Sequence, residues 1–89
     1  MVDVETTGTN FDRNSIIQIS AVKFDFDTME VSDDFFDRCL HQHPGRVMDP
    51  DCWTGFWAKN MPVYQSIVAR AEDPHTVVKA FYDWLSGEE

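Results

Sequence analysis

The sequence predicts one small α+β domain, a three-stranded and largely antiparallel sheet followed by two or three helices. Three observations carry this reading. Residues 15–26 alternate apolar with polar side chains at a strand period. The second half carries two Asp-Pro pairs, Asp49-Pro50 and Asp73-Pro74, each an N-cap followed by proline at the first helical position. The chain of 89 residues has room for a single core.

The first strand ends the short N-terminal stretch that contains Asp3 and Glu5. The second is the clearest, because Ile17, Ile19 and Ala21 alternate with Gln18, Ser20 and Val22 in a segment rich in β-branched and aromatic residues. Asp25 to Glu30 supplies turn chemistry, and Val31 to Leu40 reads as the hairpin partner. Residues 41–48, with His41, His43, Pro44 and Gly45, form a loop. A helix starts at Pro50 and places Trp53, Phe56 and Trp57 on one face until Asn60 and Pro62 stop it. Val63 to Ala71 has the spacing of a short helix. A last helix starts at Pro74 with an apolar stripe of Val77, Val78, Phe81 and Leu85, and ends at Gly87.

At 43% hydrophobic and 13% aromatic residues, the chain is too rich in core-forming side chains for a disordered segment. Sixteen acidic against seven basic residues give a net charge of −9, which disfavours unaided binding to nucleic acid. No apolar run approaches the ~20 residues of a membrane span, and no basic start precedes an apolar leader. The expectation is a cytoplasmic, non-secreted protein. Its two cysteines, Cys39 and Cys52, suit a reducing compartment, with a bridge between them left open.

The chemistry is concentrated in Asp3-Val4-Glu5-Thr6-Thr7-Gly8. Two positions apart on a strand, Asp3 and Glu5 project from the same face, roughly 6–7 Å apart at the backbone. Such oxygen ligands suit Mg²⁺ or Mn²⁺, which keep several waters and accept substrate phosphate oxygens. Thr6, Thr7 and Gly8 are small enough for the backbone to approach a nucleotide closely. The alternative is a strand end carrying solvated acids.

This hexapeptide, followed by Ile16-Ile17-Gln18-Ile19-Ser20-Ala21-Val22-Lys23-Phe24, resembles the first motif and second strand of the Asp-Glu-Asp-Asp (DEDD) 3′→5′ exonucleases, proofreading-type enzymes of the ribonuclease H-like α/β fold. The tract Asp51-Cys52-Trp53-Thr54-Gly55-Phe56-Trp57 is similar to the phage exonuclease A type. The resemblance implies that Asp3 and Glu5 are catalytic metal ligands and that Thr6, Thr7 and Gly8 contact the 3′-terminal nucleotide of single-stranded DNA or RNA. It implies a two-metal hydrolysis with Mg²⁺ or Mn²⁺ that releases nucleoside monophosphates.

The family's two further aspartates do not stand where its pattern requires. Its third motif has a His four or five residues before an Asp. His41 and His43 are followed at those offsets by Gly45, Arg46, Val47 and Met48, and His75 by Lys79 and Ala80. Asp83 falls within the last predicted helix rather than on a following strand. The resemblance therefore implies that residues 1–89 are a partial ribonuclease H-like domain, the N-terminal portion of an exonuclease, with an incomplete metal site and poor or no activity alone. Its first strand would have an unpaired edge open to self-association or to a protein partner.

Three other groupings have competing readings. Cys39, His41, His43 and Cys52 have the ligand count of a zinc site, against core packing for Cys39 and solvent for the histidines. Trp53, Phe56 and Trp57 lack interleaved basic residues and read as packing rather than a stacking platform. Asp33, Asp34 and Asp37 read as a solvated sheet edge, against a phosphate-like row. The second functional hypothesis is accordingly a non-catalytic acidic interaction protein, a nucleic-acid mimic or inhibitor, derived from the same fold.

Overall fold

The computed structural model describes residues 1–10, 12–25 and 27–87; Phe26, at the end of the predicted second strand, lies outside the described residues. In chain order the elements are β1 (Val2–Thr6), β2 (Ile16–Asp25), β3 (Glu30–Leu40), α1 (Pro50–Gly55), a 3₁₀ turn (Trp57–Lys59), α2 (Met61–Arg70), β4 (Ala71–Glu72) and α3 (Pro74–Ser86). The α+β class is that expected. The sheet, however, has four strands in the order β1-β2-β3-β4, not three. β1, β2 and β3 form an antiparallel meander, and β4 adds parallel to β3 through Cys39↔Ala71 and Leu40↔Glu72. Two residues are too few to show a strand period, so β4 left no trace in the hydrophobic pattern.

A bulge decides which way β2 faces. The register steps from Glu5↔Gln18 to Thr6↔Ile16, so Ile17 is an extra residue on β2. Ile17 is thereby buried with Cys39, Trp57 and Ile67, on the side covered by the 3₁₀ turn and α2. Ile19 and Ala21 are buried on the opposite side with Phe36, Leu40, Val77 and Trp84, beneath α3. The expectation that Ile17, Ile19 and Ala21 share one face is corrected by that single inserted residue.

The helix starts are those the Asp-Pro pairs predict. Asp49 accepts from the Cys52 N–H at 3.0 Å and Asp73 from the Thr76 N–H at 3.0 Å. Each satisfies a donor that the first turn leaves unpaired. The first helix is shorter than expected, because α1 ends at Gly55 and the chain tightens into the 3₁₀ turn. Pro62 does not stop a helix. It lies in the first turn of α2, where a missing N–H costs nothing.

α3 ends, as expected, at Gly87, whose φ of 76° is the left-handed conformation glycine tolerates. Its buried stripe differs from the predicted one. Val77 and Trp84 are buried, with Ala80 and Phe81 packed against them, while Val78 and Leu85 are each 53% exposed. Trp84 fixes this rotation, because its ring packs 5.9 Å from Phe36 and its Nε1 donates to Asp34 Oδ1 at 2.8 Å.

Candidate functional site

β1 is the sheet edge on which the predicted site stands. Asp3 pairs with Ser20 and Glu5 with Gln18, while Val4, between them, pairs with Ile19. The pleat therefore sends Asp3 and Glu5 to the α2 side and Val2 and Val4 to the α3 side. On the α2 side, the polar neighbours of the carboxylates turn away from them. Gln18 Nε2 and Ser20 Oγ both donate to Asp37 Oδ1, at 2.9 and 3.3 Å. Arg70 lies against Asp37 at 3.6 Å and donates to Cys39 Sγ at 3.0 Å.

None of the ion pairs among the described residues involves Asp3 or Glu5. Partial burial, and then the like charge of Asp3, hold the Glu5 carboxyl above its ordinary range. Two acids sharing a face without a compensating cation are expected to behave in this way.

The rest of the hexapeptide is built into the scaffold. Thr7 is 0% exposed. Its N–H donates to Ser15 O at 2.9 Å and its carbonyl accepts from the Asp49 N–H at 2.8 Å. Its hydroxyl donates to Val47 O at 3.0 Å and accepts from the Ser15 N–H at 2.8 Å. Thr7 thus ties the end of β1 to the segment before β2 and to the segment before α1.

Gly8 is required by closeness rather than by torsion. A Cβ there would lie 2.6 Å from Asn14 Cγ and 2.8 Å from Asp49 Cβ. The Thr6 hydroxyl donates to Gly8 O at 2.9 Å, and the Thr6 carbonyl accepts from Trp57 Nε1 at 3.1 Å and Cys52 Sγ at 3.9 Å. The five predicted residues are therefore contiguous in space but divided in role. Asp3 and Glu5 present to one side oxygens that no ion pair among the described residues engages, and Thr7 is spent on internal hydrogen bonds.

Thr6 and Gly8 line an open groove of about 570 Å³ with Val4, Ile16, Leu40 and Val78. That groove lies on the α3 side of β1, opposite the carboxylates. Asn14 and Trp57 were not predicted to support this region. Asn14 Nδ2 donates to Val47 O at 2.9 Å and its Oδ1 accepts from the Asn10 N–H at 3.0 Å. Their only sequence signals were an unremarkable loop amide and one ring in an aromatic run.

The donor chemistry of Asp3 and Glu5 fits one hard divalent cation. Among the described residues, no group of three or more His, Cys, Asp and Glu side chains is placed to hold a metal, and Asp3 and Glu5 stand as a pair. The zinc alternative for Cys39, His41, His43 and Cys52 does not assemble among the described residues. Cys39 is buried beside Trp57 and Ile67, Cys52 points to Thr6 O, and His43 packs edge-on against His75 with ring centroids 5.5 Å apart. Both cysteines are free thiols.

Asp34 and Asp37 are engaged on opposite faces, by Trp84 and Lys23 in one case and by Gln18, Ser20 and Arg70 in the other. They form no phosphate-like row. No helix among the described residues is long and apolar enough to cross a membrane. Comparison with protein-family models, curated proteins and solved structures finds no match to this chain.

Proposed function

We propose that residues 1–89 supply the first carboxylate motif of a cytoplasmic, metal-dependent 3′→5′ exonuclease of the DEDD type, acting on the 3′ end of single-stranded DNA or RNA. One observation carries the reading. Asp3 and Glu5 share a face of β1 without an ion pair among the described residues, and burial and mutual repulsion raise the proton affinity of Glu5. Asp3 and Glu5 are the residues that would hold a Mg²⁺ or Mn²⁺ ion, whose charge would offset that repulsion. When bound, such an ion supplies activation of the attacking water and charge stabilisation at the phosphate.

The chain's own contribution is positional. Thr7 and Gly8 lock the end of β1 against the segments at 13–15 and 47–49, so the two carboxylates sit on a fixed strand. The remaining ligands of such a site would come from residues beyond these 89 or from another chain, and residues 1–89 alone would bind the ion weakly and not hydrolyse nucleic acid.

Calorimetric titration with Mn²⁺ tests this. Wild type should show one weak site that Asp3→Ala abolishes while far-UV circular dichroism stays unchanged. A wild type that takes up no Mn²⁺, or an Asp3→Ala titration identical to it, ends the metal reading. The net charge of −9 and the open β1 edge favour a second reading, an acidic interaction protein whose function is to capture a partner.

A further inference from the structure

The open edge of β1 has a definite chemistry. Met1 and Val22 exchange both backbone hydrogen bonds, each at 3.0 Å. In an antiparallel ladder such pairs recur at every second residue, so Asp3 and Glu5 also direct their backbone groups inward, to Ser20 and Gln18. Val2, Val4 and Thr6 then direct theirs outward. The Thr6 carbonyl confirms the phase, since it is taken by Trp57 Nε1 and Cys52 Sγ from outside the sheet. No strand among the described residues covers the groups of Val2 and Val4.

The two faces beside that edge differ. On the α3 side, Val2 and Val4 are 54% and 41% exposed. The groove floored by Val4, Ile16 and Leu40 and walled by Pro74 and Val78 runs beside them. On the α2 side stand Asp3 and Glu5. A strand added to this edge places alternate side chains in the groove and the others against the two acids.

A second copy of the chain is a poor occupant. Antiparallel self-pairing about Val4 sets Asp3 opposite the Glu5 of the other copy, twice, between two molecules each of net charge −9. We infer that the β1 edge captures an extended segment of another protein in which apolar residues alternate with lysine or arginine, the apolar ones entering the groove and the basic ones facing Asp3 and Glu5. This inference stands on the edge geometry and the charge, independently of the metal reading.

The probe is a capped heptapeptide, Val-Lys-Val-Lys-Val-Lys-Val, titrated into the full chain by NMR. Expected are binding and protection of the Val2 and Val4 amides from exchange. Asp3→Lys/Glu5→Lys should weaken binding roughly tenfold. Asp27→Lys/Glu30→Lys at the hairpin tip, with the same change in net charge, should change it less than about twofold through long-range attraction alone. A peptide with the same charge but N-methylated on the amides that pair with β1 should not bind to the wild type.

Equal losses in the two double variants, or undiminished binding of the N-methylated peptide, overturn the inference. So does failure of the heptapeptide to bind. Mn²⁺ uptake without peptide binding leaves the metal reading standing alone, and peptide binding without Mn²⁺ uptake does the reverse.

Discussion

Thr7 belongs to a motif in which the resemblance assigns it to a nucleotide, yet its side chain is wholly enclosed. Thr7→Val separates the two roles because it keeps the shape and removes only the hydroxyl. Val47 O keeps Asn14 Nδ2 as a donor at 2.9 Å, so it is not orphaned. The Ser15 N–H loses the acceptor it has at 2.8 Å, in a buried position. A buried donor left unmet costs about 1–3 kcal/mol, and the lost bond to Val47 about 1 more, for a total of about 2–4 kcal/mol.

A domain of this size has roughly 4–13 kcal/mol to lose. At ~4–8 °C per kcal/mol, the melting temperature should fall by roughly 8–32 °C in a calorimetric scan. Thr7→Ser keeps the hydroxyl and gives up one buried methyl, for about 1 kcal/mol. Below the transition, Mn²⁺ affinity should stay close to wild type in both variants, since the backbone bonds of Thr7 to Ser15 and Asp49 still hold the end of β1. A Val variant within about 0.5 kcal/mol of wild type, or a Ser variant as damaged as Val, refutes the structural role.

Gly8→Ala should destabilise by about 2 kcal/mol or more in urea, because Asn14 must move to admit the Cβ and in moving releases Val47 O and the Asn10 N–H; an unchanged midpoint would mean that the loop yields freely. Glu5→Gln should stabilise the domain at pH 7. The folded Glu5 pKa is raised, so its ionised form opposes folding above that value, and the advantage of Gln disappears as pH falls through the folded pKa to the unfolded one. A difference between Glu5→Gln and wild type that is flat from pH 7 to pH 3 would contradict this.

Much of the fold was legible because its signals are local. The Asp-Pro pairs needed only two adjacent residues to announce α1 and α3, and the β2–β3 hairpin needed only its turn and its period. What escaped depends on partners distant in sequence. The bulge at Ile17 is set by pairing with Glu5 and Thr6, and the rotation of α3 by Trp84 reaching Asp34, fifty positions away. In the site, the shared face of Asp3 and Glu5 follows from strand period. The confinement of Thr7 does not, because a threonine hydroxyl reads the same on the surface or between Val47 and Ser15.

The two proposals for Asp3 and Glu5 draw on one electrostatic fact. The nearest polar groups of β2 and α2 are engaged elsewhere, since Gln18, Ser20 and Arg70 converge on Asp37, and no ion pair among the described residues reaches Asp3 or Glu5. The two acids are left to a partner from outside, and the outside partner can be an ion or a basic side chain. The faces beside β1 distinguish them. An ion needs only the carboxylates and leaves Val2, Val4 and the groove in water, whereas an added strand also satisfies the outward backbone of Val2 and Val4 and covers apolar surface the fold leaves bare. The strand accounts for both sides of β1 with one contact, and hydrogen exchange at Val2 and Val4 reads out which partner is present.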